Sequence, residues 1–556
     1  MNWFGFLGKT DIVDNFPAWY FQVVNPGFCI IHCKLMRKIY RVIALSAFYL
    51  SLINCVYGQD TMRERPEEWD DLVNGGRFMD RFLPIPAVGN LSSNTWGWDA
   101  VKPRYIDNGI EDNEWSYWGG NIRKGDDGKY HLIVCRWPEN AKKGHMEWPN
   151  SELVHAVSEH PLGPFKVAGP TIGKGHNPEY FRLSDGRFVI YVYKAYYVAE
   201  SLNGPWQKGK FEYDRRDRKI IDGLSNVSFA QREDGSFMAV CRGGGIWVSR
   251  TGLSSYNQIT NGSVYPPYDG RYEDPVIWRT NIQYHMIVND WYGRIAYYLR
   301  SKDGTTWKVE PGEAYMPGIA RYEDGTVVDW YKYERIKVLQ DEYGRAFQAN
   351  FAVIDTSKWG DLGNDHHSSK NICLPLVKGR LLTILDDKKI TPDTQIIRVK
   401  IDAENGFSPQ TDIDIASLRF GASEEVNFGG GSRVMKTENE GKDLVVFFEG
   451  KGNGLSEKNF AAKLIGRTND GGLLFGYARL PWLAYKESIL SARKPEISTR
   501  KGKSIVEFEV QNFGEVPSVQ TQVNVAIGAD DERVILEGSI PPLKPVSYTH
   551  LRAHET

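Results

Sequence analysis

The 556-residue chain is long enough for three or four domains, and 41% hydrophobic with 25% charged residues is a globular composition rather than a disordered or collagen-like one. Its 68 Lys and Arg against 70 Asp and Glu leave a net charge of −2, which removes the electrostatic case for nucleic acid or an anionic membrane as the main partner. The 17 Trp, 29 Tyr and 55 Gly point to short strands, frequent turns and an aromatic-rich all-β core.

The first recognisable signal starts at Met36. In MRKIYRVIALSAFYLSLINCVYGQ, Arg37, Lys38 and Arg41 form a basic end, Val42 to Ile53 a short apolar run, and Val56-Tyr57-Gly58 a small-residue cleavage zone. This reads as a signal peptide over 36–58, with a mature chain from Gln59 and residues 1–35 as an upstream extension from a misplaced start. The expected location is secreted or periplasmic. A lipid-anchored surface form is the variant, because LINC at Cys55 weakly resembles a lipoprotein box. The apolar run is too short for a comfortable membrane span, and no later segment reads as one. Residues 59–94 read as a lead-in. Cys135, Cys241 and Cys373 are far apart and sit in apolar runs or lack metal spacing, so buried free thiols are expected.

From about residue 115 the chain repeats a strand, a polar turn and a second strand. The five units are NIRKGDDGKYHLIVCRW from Asn121, EYFRLSDGRFVIYVYK from Glu179, VSFAQREDGSFMAVCRG from Val227, VIWRTNIQYHMIVND from Val276 and IKVLQDEYGRAFQANF from Ile336. Asp127-Gly128, Asp185-Gly186 and Asp234-Gly235 are hairpin turns that need positive φ at the glycine. Most units add a third strand. A multistrand period near about 50 residues is the signature of a β-propeller, here of five blades over 95–387.

In a propeller the first strands of the blades line the axis, so residues at equivalent positions converge at one mouth. Just ahead of each unit stand Gly119-Gly120, His176-Asn177-Pro178, Ser225-Asn226, Glu273-Asp274-Pro275 and Glu334-Arg335. Together they predict a polar, acid-bearing pocket. Asp274 and Glu334 at neighbouring mouths would repel when both ionised, which raises the pKa of one. Strict alternation along the strand would turn Arg335 away from Glu334. Asn177, Asn226 and Arg335 are candidate ligand-binding residues, and Trp118 and Trp291, near strand ends, are candidate sugar platforms.

These motifs resemble the five-bladed propeller glycoside hydrolases of families 43 and 117. WGGNIRKGDDGKYHLIVCRWPEN and GHNPEYF look most like family 117, whose members act on anhydro-galactose residues of red-algal galactans. The resemblance covers about residues 95–380. It implies hydrolysis by carboxyl groups, with Glu334 as the acid and Asp274 tuning it, and requires no cofactor. Gly119-Gly120 stand where the family has its base Asp. Asp112 or Glu114 from the preceding loop, or His176, are the candidate replacements. Related propellers also carry a central ion, which would place a structural Ca2+ at the axis. Asp365-His366-His367-Ser368-Ser369 could supply ligands through His366 and His367, or simply close the ring as a polar loop.

Beyond 388 the pattern changes. Alternating segments between Gly-rich turns over 388–488 predict a β-sandwich accessory domain, and 489–546 the start of an Ig-like module. The last residues, 547–556, show no strand pattern and read as an artefactual tail. The expected activity is a secreted glycoside hydrolase on plant or algal polysaccharide fragments, its partner an oligo- or polysaccharide. A non-catalytic carbohydrate-binding propeller and a polysaccharide lyase stand as alternatives.

Overall fold

The computed structural model describes residues 63–95, 98–221, 224–253, 255–328, 330–391, 393–500, 503–526, 534–545 and 548–554. The expected signal segment and the residues ahead of it lie outside the described residues. Among the described residues the protein is nearly all-β, and no helix is long and apolar enough to cross a membrane.

Five sheets follow one another in chain order between Trp115 and Pro375, antiparallel except for one short parallel pair, Tyr213–Asp214 with Tyr256–Gln258, in the third. Their first strands are β1 (Trp115–Lys124), β2 (Glu179–Arg182), β3 (Ser228–Gln231), β4 (Tyr272–Arg279) and β5 (Lys332–Gln340). The first four sheets have four or five strands and the fifth has three. Each opening hairpin matches its sequence unit. Gly128, Gly186 and Gly235 adopt φ of 81°, 93° and 83°, as the Asp-Gly turns require. The two middle strands of the fourth sheet, Tyr284–Asp290 and Ile295–Ser301, are buried on both faces.

The first strands meet in cyclic order. β1 packs on β2 and on β5, β3 on β4, and β4 on β5. Ser228 on β3 joins β2 through a hydroxyl that donates to Glu179 at 3.4 Å. Cys135, Cys241 and Cys373 are buried free thiols.

The lead-in is stitched into this core. Trp69 and Phe78 are buried in it, and Phe82 and Ile85 bridge to Leu376 and Tyr322. Downstream, seven strands make one continuous sheet around a core of Val399, Phe420, Val446, Phe448 and Leu464. Arg380–Ile384 is its shared central strand. That strand lies before residue 388, so this sheet starts earlier than the change in sequence pattern suggested.

The last module contains a correction. Tyr548–His554 forms a strand, paired antiparallel with Lys503–Asn512 from Tyr548↔Gln511 to His554↔Ile505. A ladder uses backbone groups, which any proline-free segment can supply, so a weak side-chain pattern did not prevent it. Deleting 547–556 is therefore expected to lower the melting temperature. An unchanged melting curve would contradict the pairing.

Candidate functional site

The site rests on a backbone feature that recurs five times. Gly119, Asn177, Asn226, Asp274 and Arg335 have φ of 64°, 54°, 51°, 53° and 54°, all left-handed. They occupy the same place in each repeat, two residues ahead of Asn121, Glu179, Ser228, Val276 and Lys337. In β1, β4 and β5 the strand register shifts across this point, between Trp118 and Asn121, Glu273 and Val276, and Glu334 and Lys337. A left-handed residue in a strand is a bulge, and it re-aims side chains that simple alternation would place elsewhere. Four of the five are not glycine, so four repeats hold a conformation that costs about 1–2 kcal/mol. Such strain clusters where side chains must be presented.

The bulge corrects the expected direction of Arg335. Its guanidinium lies with Asp274, Nε to Oδ1 3.1 Å, and also donates to Asn226. Asn226 in turn donates to Glu273 and accepts from Asn177 at 3.5 Å. A Cβ on Gly119 would stand 3.5 Å from Asn177 and 3.9 Å from Arg335. The five left-handed residues therefore gather at one locus, with Arg335 across it. Two residues further along, four of the five strands place a polar side chain, Asn121, Glu179, Ser228 and Lys337, and the fourth places Val276. There buried Lys337 binds Glu179 at 2.7 Å and the Ser228 hydroxyl at 3.0 Å.

Gly120 is a structural necessity, whereas Gly119 has room for a side chain. Gly120 has φ of 93°, and a Cβ there would be driven into the carbonyl oxygen of Ile133. The carbonyls of Gly119 and Gly120 accept from Asn371 and Asn350. Gly120→Ala is expected to cost about 2–4 kcal/mol, from strain plus overlap. A denaturant midpoint like that of the parent protein would contradict this.

The two central acids differ in electrostatics. Asp274 is 2% exposed, and burial pushes its carboxyl up to about 7 against the pull of Arg335, with Glu273 and Glu334 adding repulsion. Arg335 meets Oδ1 as an ion pair, and that oxygen has no hydrogen bond. Glu334 is 3% exposed, and burial pushes it up too. Lys358 at 2.5 Å and the charge of Lys332 outweigh burial and hold it below the ordinary glutamate range. Its Oε1 is also without a hydrogen bond. Near neutrality Asp274 thus holds a proton for part of the time while Glu334 is ionised.

The other candidates are placed as follows. Asp112 is exposed and caps its own turn, accepting from the Glu114 and Trp115 amides at 2.9 Å and from the Tyr117 hydroxyl at 2.5 Å. No contact joins it to Asp274 or Glu334 among the described residues. Glu114 is exposed as well. His176 precedes Asn177 at the ring, its Nδ1 3.1 Å from Ser151 Oγ and 3.4 Å from Cys135 Sγ. Burial, then Arg335 and Lys358, hold it well below the usual imidazole range, so it is neutral and a weak base. Trp118 is buried, with His145 edge-on at 4.5 Å and Lys358 over its ring at 5.2 Å. It is a wall beneath Lys358 rather than an open platform. Trp291 is half-buried, stacked on Tyr292 at 4.0 Å, and lines a small cleft with Arg294, Tyr331 and Glu334.

His367 binds Asp355 at 2.8 Å, and exposed His366 lies against it. No group of three or more His, Cys, Asp or Glu arranged to hold a metal occurs among the described residues. The residue that sequence reasoning missed is Lys358. It comes from the loop after Ile354, and nothing in TSKWGDLG announces a partner 24 residues back.

No protein-family profile and no curated protein matches the sequence. Solved structures do match. One is a family 117 glycoside hydrolase from the marine bacterium Zobellia galactanivorans, 12% identical over 49% of this chain and 89% of that one, TM-score 0.33. A GH43_1 enzyme from Xanthomonas citri is 12% identical over 54% and 93%, TM-score 0.31. An endo-1,4-beta-xylanase from Bacteroides thetaiotaomicron is 15% identical over 52% and 96%, TM-score 0.32.

Proposed function

We propose that the five sheets are the blades of one propeller, that the sheets after Leu376 are accessory domains, and that the axial mouth hydrolyses glycosidic bonds of a secreted enzyme's polysaccharide substrate. The observation that carries this reading is the Asp274–Glu334 pair: two buried carboxyls beside one locus, one raised toward neutrality and one held ionised. Glycoside cleavage needs that division of labour. The reading agrees with the resemblance seen in the blade motifs. It reverses the roles the resemblance implied.

In the proposed step Asp274 gives its proton to the leaving glycosidic oxygen as the bond to the sugar carbon breaks. Glu334 takes a proton from the attacking water. The product hydroxyl and the new reducing end balance the water consumed. Arg335, held by Asn226, fixes Asp274, and Asn177 with Asn226 offers amide groups to sugar hydroxyls. Access to Glu334 passes Lys358, whose side chain is 25% exposed on a flexible stem. Gly119, in place of an acid, favours the second reading, a propeller that only binds sugar.

A screen over marine and plant glycans separates the readings. New reducing ends support hydrolysis. An ultraviolet-absorbing unsaturated product would mean a lyase, and binding without any product would mean a lectin-like protein. Either of the last two overturns the proposal.

A further inference from the structure

The described residues include a second cavity, remote from the axial mouth, where the lead-in, the fourth and fifth sheets and the seven-stranded sheet meet. Its volume is ≈ 170 Å³, and Phe78, Arg81, Trp278, Leu382, Phe475 and Tyr477 help to line it. Arg81 is 5% exposed. Its guanidinium lies 4.6 Å from the Phe78 ring centre and 4.2 Å from that of Phe475. It donates to the Tyr477 hydroxyl at 3.2 Å and lies beside Tyr298, 5.1 Å from its ring centre; Nε has no hydrogen bond, and no carboxylate pairs with the guanidinium among the described residues.

A buried charge is costly unless it is paired. Stacking on aromatic faces recovers part of that cost but leaves the N–H donors unspent. The surroundings do not supply the missing anion. Arg345, Lys378 and Arg380 share Glu404, and Asp341 serves Arg345 and Lys378. Arg380 Nε, also at the cavity, has no hydrogen bond. Asp402, the one acid in the lining, lies 3.2 Å from Lys400. Asp341 and Glu404 are thus engaged by Arg345, Lys378 and Arg380, and neither pairs with Arg81 among the described residues.

We propose that this cavity binds a small organic monocarboxylate with an apolar ring or chain, its carboxylate on Arg81 and its body among Phe78, Trp278, Leu382 and Phe475. A guanidinium presents paired donors that match a carboxylate. An apolar cavity of about 150 Å³ admits a benzene-sized molecule, so this one has room for such a body. A bare inorganic anion would leave the apolar walls unused. The site is independent of the glycosidic reading, and its test uses no glycan.

Benzoate is the probe, with benzyl alcohol and sulfate as comparators, in titration calorimetry and thermal melting of the intact chain. Benzoate is expected to bind saturably at one site and to raise the melting temperature. Benzyl alcohol and sulfate should each bind about tenfold or more weakly, and Arg81→Met should weaken benzoate by a similar factor, as loss of a charge-assisted hydrogen bond implies. Ala346→Leu keeps Arg81 and narrows the cavity. It should abolish benzoate binding with the parent circular dichroism retained, and it decides the matter if Arg81→Met does not fold. No benzoate binding, equal binding of either comparator, or unchanged binding in Ala346→Leu would overturn the proposal.

Discussion

Asp274→Asn and Glu334→Gln should each lower turnover on a hydrolysed glycan by on the order of a hundredfold or more, the usual scale for removing a general acid or base. The two losses have different causes. Asp274→Asn keeps the size of the side chain and removes the transferable proton. Glu334→Gln removes the ionised group that Lys358 holds at 2.5 Å, so the half-buried Lys358 is left against a neutral amide. Lys358→Met acts from the other side. With its main counter-charge gone, Glu334 is released upward by burial, and the low-pH side of the activity profile moves to higher pH. Initial rates for the three variants test this together. Parent-like turnover in either carboxyl variant would remove that residue from the chemistry.

The second large effect is on stability. Lys337 and Glu179 are 5% and 4% exposed and bind each other at 2.7 Å in the layer below the ring of left-handed residues. Replacing Lys337 by Met leaves a buried carboxylate with only the Ser228 hydroxyl, at 3.4 Å. Removing one partner of a buried pair costs about 3–5 kcal/mol. Replacing both by apolar residues of similar size removes the charge that needs compensation. Lys337→Met is therefore expected to be far less stable than Lys337→Met combined with Glu179→Leu. Denaturant unfolding of the two variants measures the difference. Equal loss in both would show that the pair does not carry the axial layer.

The repeats were legible because they depend on local sequence. Asp-Gly turns fix hairpins over a few residues, and the five polar or glycine positions ahead of five apolar runs are where the left-handed residues fall. Strand alternation through Glu334-Arg335 turns Arg335 away, and the left-handed conformation of Arg335 breaks that alternation. Asn177 and Asn226 carried the signal that was missed, since asparagine tolerates that conformation best among non-glycine residues. Lys358 was not legible at all. Its partner is fixed by how one loop folds over the mouth, and no periodicity encodes that. Arg380–Ile384 is only five residues long, and its pairing with Ile396–Ile401 and Leu473–Arg479 is long-range, so local pattern does not assign it to the later sheet.

The pH dependence of kcat/KM on a cleaved glycan tests the central claim most directly. If Asp274 is the proton donor, activity is full while Asp274 is protonated and Glu334 ionised, and falls as pH rises through about 7. A profile that stays flat across neutrality, or one whose alkaline limb survives unchanged in the residual activity of Asp274→Asn, would contradict the account.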